Sequence, residues 1–217
     1  LGADVHGAGT STITVRGGGV RHGCVHRCIG DRIAAATYLC AAAAAGGQVT
    51  LRGVDYRHLA TVTTALGQAG CRLQCTEDSI TLESDGHLRA IPPVRTSPYP
   101  GFPTDAQAPL MAALLRSEGA VMFVENMFDS RYRHVPELVR MGADIRLEGR
   151  VAVVYGTREL HGAAVRCTDL RGGAALAIAA LQTPDATLIH DIYHIQRGYQ
   201  DMAGDLRALG ADAAVEV

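Results

Sequence analysis

Met141-Gly142-Ala143-Asp144 returns as Leu1-Gly2-Ala3-Asp4 and Leu209-Gly210-Ala211-Asp212, and in altered form as Ala69-Gly70-Cys71-Arg72. The glycines at 2, 70, 142 and 210 stand 68, 72 and 68 residues apart, the signature of an internal repeat. Three of them follow a helical pattern and all precede β-rich residues, where a helix ends on a left-handed residue that glycine adopts without a Cβ penalty. A second marker keeps step: Asp31-Arg32-Ile33, Thr104-Asp105-Ala106 and Thr168-Asp169-Leu170 each open a run of small apolar residues. Three repeats of about 70 residues follow, with the tail of a fourth at the front.

Each repeat reads alike. Its first helix, over about 32–45, 106–117 and 170–182, is apolar nearly all round and should be buried on every side. A β-rich strand follows, over 49–54, 121–127 and 187–193. The second helix is one-sided, with Leu59, Val62, Leu66 and Ala69 in the first copy and Tyr199, Met202, Leu206 and Leu209 in the third. A strand leaves the glycine, over 72–76, 144–147 and 213–217. The fold class is therefore α/β, built from β-α-β-α-β-β units divided at about 29–94, 95–156 and 157–217. Residues 1–28 hold only closing strands, over 4–6 and 12–16, of a unit whose helices are missing from this chain.

Composition narrows the chemistry. With 217 residues, 19% charged and a net charge of -2, the chain has no basic field for a polyanion, so nucleic acid is not an expected partner. Its apolar runs are too short to span a bilayer and no leader pattern opens it, so it reads as cytoplasmic with no membrane partner. All 20 basic residues are Arg, which excludes a Walker lysine, a Schiff base or lysine acid-base chemistry within this chain. The six cysteines form no compact framework and read as free thiols. His22, Cys24, His26 and Cys28 alternate, but ligands at that spacing on a strand cannot close around one tetrahedral ion. Neither a metal nor a cofactor is expected.

Asp31, Asp105 and Asp169 stand at first-helix N-termini, where capping alone accounts for any one of them. Asp105 differs because it follows Tyr99-Pro100-Gly101-Phe102-Pro103-Thr104, a stretch stiffened by prolines, and is the catalytic candidate. Arg32 and Arg171 occupy first turns of buried helices, Arg131 precedes His134-Val135-Pro136-Glu137-Leu138, and Arg197 lies in His194-Ile195-Gln196-Arg197-Gly198-Tyr199. Guanidinium groups gathered at helix N-termini make an anion site, so a substrate with phosphate or carboxylate groups is expected.

Four strings, 99–108, 133–143, 168–174 and 192–199, occur in an order that resembles the UDP-N-acetylglucosamine 1-carboxyvinyltransferases, across essentially the whole chain but only the carboxy-terminal half of that family. The resemblance implies an inside-out α/β barrel of two domains that close on substrate, the enolpyruvyl transferase fold. It implies phosphoenolpyruvate and UDP-N-acetylglucosamine as substrates and the missing amino-terminal half as partner. By that likeness Asp105 contacts the sugar 3-hydroxyl and takes its proton, and Met127 meets the sugar nucleotide through its backbone. Arg131 and Arg171 hold the carboxylate of phosphoenolpyruvate, Arg197 its phosphate, and Asp169 orients groups around the intermediate, while Asp31 and Arg32 act at the hinge. The family's phosphate-gripping lysine and reactive cysteine lie in the absent half, so the isolated chain is expected to be inactive. Gln196 replaces the usual Asp, and Gly172-Gly173 an Ala-Ser pair. An enolpyruvyl transferase with another acceptor and a non-catalytic nucleotide-sugar-binding module are the alternatives; the Phe-Pro-Thr-Asp and His-Val-Pro-Glu-Leu strings argue against the shikimate enzyme.

Overall fold

The computed structural model describes residues 1–19 and 21–216 of the chain. β1 (Asp4–His6) and β2 (Thr14–Arg16) form an antiparallel hairpin. Every described residue from 1 to 29 is exposed. The first long apolar run then becomes α1 (Arg32–Ala45), followed by β3 (Gly47–Arg52), a short 3-10 turn, α2 (Ala60–Ala69), β4 (Arg72–Cys75) and β5 (Ser79–Ser84). The middle stretch runs β6 (Val94–Arg95), α3 (Thr104–Ala113), β7 (Ala120–Val124), α4 (Val135–Arg140), β8 (Asp144–Glu148) and β9 (Val151–Tyr155). The last carries β10 (Ala164–Arg166), α5 (Leu170–Ala180), β11 (Leu188–His190), the single turn α6 (Tyr193–Gln196) and α7 (Met202–Ala208).

The sheets repeat one plan. Order β3-β5-β4 in the first sheet recurs as β7-β9-β8 in the second, and the parallel pair β6-β7 recurs as β10-β11. Gly70, Gly142 and Gly210 close α2, α4 and α7 with φ of 116, 94 and 100°, the left-handed geometry that makes glycine the repeat marker.

Helices α1, α3 and α5 pack on one another at the centre, and Leu39, Leu110, Met111 and Leu176 among them are fully buried. They are apolar on every side because every side meets protein. The sheets lie outside: in β5, Ile80 and Leu82 point inward, while the outward-facing Thr81 shares a 2.9 Å hydroxyl hydrogen bond with Thr50. Helices within and sheets without make this an inside-out α/β arrangement. Gln182 ties its ends together, its amide donating to the Ala112 carbonyl at 2.8 Å.

Several expectations change. The strand expected over 187–193 stops at His190, because Asp191 takes φ of 59° and ends the extended run before α6. The third one-sided helix begins at Met202, not Tyr199, and Leu209 beyond its end is exposed. The closing strand expected over 213–217 does not form among residues 213–216, which lack a neighbouring strand to pair with; Val217 lies outside the described residues. Residues 21–29 form no strand, so the alternation of His22, Cys24, His26 and Cys28 puts nothing on a common face.

Candidate active site

The proline-stiffened stretch is held by a residue that the sequence reading passed over. Glu125, fully buried at the end of β7, accepts the Thr96 hydroxyl at 2.8 Å and the Thr104 hydroxyl at 2.9 Å. The same carboxylate accepts the backbone N–H groups of Met127 at 2.8 Å and Phe128 at 3.2 Å. A buried charge is tolerated when hydrogen bonds surround it, and this one locks the start of α3 to the loop that carries Arg131. A lone acid closing a β-rich run, Val121-Met122-Phe123-Val124-Glu125, was its only signal in the sequence.

Asp31 and Asp169 are helix caps. Asp31 accepts from the N–H groups of Ile33 and Ala34 at 2.7 and 3.1 Å, and Asp169 from those of Arg171 and Gly172 at 3.0 and 2.8 Å. Asp105 is not: Pro103 holds the cap position of α3, and the Asp105 carboxylate turns away from the helix. Its Oδ1 pairs with Arg131, and its Oδ2 accepts from Nε and Nη2 of Arg171, both at 3.3 Å. Side-chain exposure falls from 39% at Asp105 to 22% at Arg131 and 13% at Arg171, so the carboxylate is the most open group of the three. Arg131 lies over the Phe128 ring, 5.5 Å from its centroid.

The other expected site residues do not join the ion pairs of this cluster. Arg32 stacks over Tyr99 at 5.3 Å, in a concavity shared with Asp31, Ile29 and His58. Met127 is half-exposed, and its N–H donates to the Glu125 carboxylate at 2.8 Å. Arg197 sits exposed after α6, and its side chain makes no ion pair or hydrogen bond among the described residues.

Two buried polar side chains beside these groups have no hydrogen-bond partner among the described residues, Gln107 on α3 and His134 at the start of α4. Burial, with Arg131 nearby, pushes the His134 imidazole down to about 4 against the opposing pull of Asp169, so it is neutral at physiological pH. The Cys167 thiol is driven up to about 12 by burial and is no thiolate nucleophile. Among the described residues no group of three or more His, Cys, Asp or Glu is placed to hold a metal ion, and no helix is long and apolar enough to cross a membrane.

Residues 1–206 match the family described as EPSP synthase (3-phosphoshikimate 1-carboxyvinyltransferase). The chain belongs to the EPSP synthase family. Within reach of this family member are UDP-N-acetylglucosamine 1-carboxyvinyltransferases of Zymomonas mobilis and Koribacter versatilis, each 44% identical over 212 residues. Those alignments cover 98% of this chain but 50% and 49% of the two relatives, so the chain spans about half the length of the curated relatives it matches. Among solved structures, the enolpyruvyl transferase NikO from Streptomyces tendae superposes with a TM-score of 0.84 at 30% identity, covering 99% of this chain and 51% of that one. EPSP synthase from Acinetobacter baumannii, at 20% identity and a TM-score of 0.74 over 100% of this chain and 53% of its own, shares the fold.

Proposed function

We propose that this EPSP synthase family chain supplies the carboxy-terminal half of a UDP-N-acetylglucosamine 1-carboxyvinyltransferase, which moves enolpyruvyl from phosphoenolpyruvate to the sugar 3-hydroxyl in the first committed step of peptidoglycan synthesis. The observation that carries this reading is the part-exposed Asp105 carboxylate held between Arg131 and Arg171. Asp105 is the base that takes the hydroxyl proton as its oxygen attacks the enol carbon. Arg131 and Arg171 hold the substrate carboxylate, and the exposed Arg197 reaches the phosphate that departs. Asp169, by capping α5, sets the turn that bears Arg171, and Met127 meets the sugar nucleotide through its backbone. Asp31 and Arg32 belong to the junction with the other domain. In the same reading residues 1–28 are closing strands of that partner domain, and 29–217 form the three-repeat domain.

Asp105 and a substrate carboxylate compete in this reading for the same two guanidinium groups. An incoming carboxylate would displace Asp105 from them and free it to act as base. The test is phosphate release from phosphoenolpyruvate plus UDP-N-acetylglucosamine, by the chain alone and mixed with a separately produced amino-terminal half of the Zymomonas mobilis relative. Turnover only in the mixture is expected. A mixture that associates but releases no phosphate would overturn this assignment and favour another acceptor or a non-catalytic nucleotide-sugar-binding module.

A further inference from the structure

Arg171 is held on both sides. Nε and Nη2 face Asp105, while Nη1 donates to the phenol oxygen of Tyr199 at 3.3 Å. Tyr199 is almost fully buried, and its oxygen lies 2.7 Å from Oγ1 of Thr37, which is fully buried on α1 and 162 residues away in sequence. Thr37 in turn reaches the Ile33 carbonyl one turn back in its own helix, at 3.0 Å. Neither Tyr199 nor Thr37 has a role in the mechanism above.

Hydrogen counting fixes the direction of this chain. A guanidinium donates and never accepts, so the Tyr199 oxygen must accept from Arg171. Among the described residues the Tyr199 proton then has one neighbour able to take it, Thr37 Oγ1, and the single Thr37 proton goes to the Ile33 carbonyl. Reversing the Tyr199–Thr37 bond would leave the Tyr199 proton buried without an acceptor, an arrangement that costs a desolvated donor. We infer that Tyr199 is a positioning residue whose hydroxyl, oriented by Thr37, fixes the Arg171 guanidinium so that its remaining edge faces the substrate carboxylate. The Tyr199 ring is itself braced: the Tyr38 ring meets it edge-on at 6.4 Å, and the Tyr38 hydroxyl donates to Asp205 on α7. The relay runs from α1 through the segment after α6 to α5 and Asp105 on α3, so the three central helices share one polar line.

The functional part of this inference rests on the proposed transferase reading, and its geometric part does not. Nitrogen-15 NMR of the Arg171 guanidinium in the 217-residue chain reads the geometry directly. Wild-type Arg171 should give distinct, slowly averaging Nη–H signals. Tyr199→Phe keeps the ring beneath the guanidinium, 5.7 Å from centroid to Cζ in the native chain, and removes only the hydroxyl. It should average those signals; Thr37→Val should have an intermediate effect and Thr37→Ser should match wild type. Unchanged Arg171 signals in Tyr199→Phe would overturn the proposal. In the complemented enzyme, Tyr199→Phe should raise KM for phosphoenolpyruvate about fivefold and leave KM for the sugar nucleotide unaltered. An active assembly in which neither constant moves would overturn the positioning role. A wild-type assembly without turnover, alongside the expected NMR result, would count against the transferase reading and leave the relay standing.

Discussion

Asp105 carries its charge between guanidinium groups that arrive from 26 and 66 residues away, and the two caps, Asp31 and Asp169, use theirs on their own helices. Replacing Asp105 by Asn removes both the base and the internal competitor for the arginines. Turnover of the complemented enzyme should fall by about 10³-fold, and calorimetry should find phosphoenolpyruvate bound more tightly to the variant. Unchanged affinity would show that the arginines are not shared between Asp105 and substrate. His134 makes a second prediction through its lowered proton affinity. Below the ordinary histidine pKa of about 6.5 the unfolded chain takes up a proton that the native imidazole refuses down to about 4, so acid destabilises the fold across that window. From pH 7 to pH 5 this one group should cost roughly 2 kcal/mol. Urea unfolding of His134→Gln at both pH values should show a pH loss smaller by that amount.

The first turn of α5 bears Arg171 and is held by the Asp169 cap and by close packing. Asp169→Ala should destabilise the chain by about 1 kcal/mol, the usual value of a cap, and lower affinity for phosphoenolpyruvate as the turn frays. A Cβ at Gly172 would stand 2.9 Å from the His134 Cβ and 3.0 Å from an Asp169 carboxylate oxygen. An Ala there does not fit this backbone as it stands. Gly172→Ala should therefore lower the urea midpoint, by about 1–2 kcal/mol in unfolding free energy; an unchanged midpoint would show that α5 shifts freely. The strands show how pattern becomes burial. In β7, Val121 and Phe123 are buried while Met122, which reads as core from its type alone, is exposed by the two-residue period.

Across the whole molecule, the core begins at α1: among the described residues none before Ile33 is buried, and every one from 1 to 29 is exposed. Deleting residues 1–28 should change unfolding free energy by less than about 0.5 kcal/mol, and a loss above about 2 kcal/mol would show that the hairpin packs on this domain. The sequence by itself determined the features set by neighbours along the chain. The repeat is legible in the recurring glycines, and the left-handed glycines and the buried first helices follow from periods of a few residues and from backbone sterics. The elements it misjudged, the short β11 and the unpaired 213–216, needed knowledge of a partner strand or of the Asp191 backbone. Asp105, Asp31 and Asp169 occupy equivalent places in the repeat, and sequence alone leaves capping open for each. Tertiary structure separated them by bringing Arg131, Arg171, Tyr199 and Thr37 from four distant segments to one place. Ion pairs and hydrogen bonds act through a few ångströms of space, and no spacing along the chain encodes which distant side chains will share it.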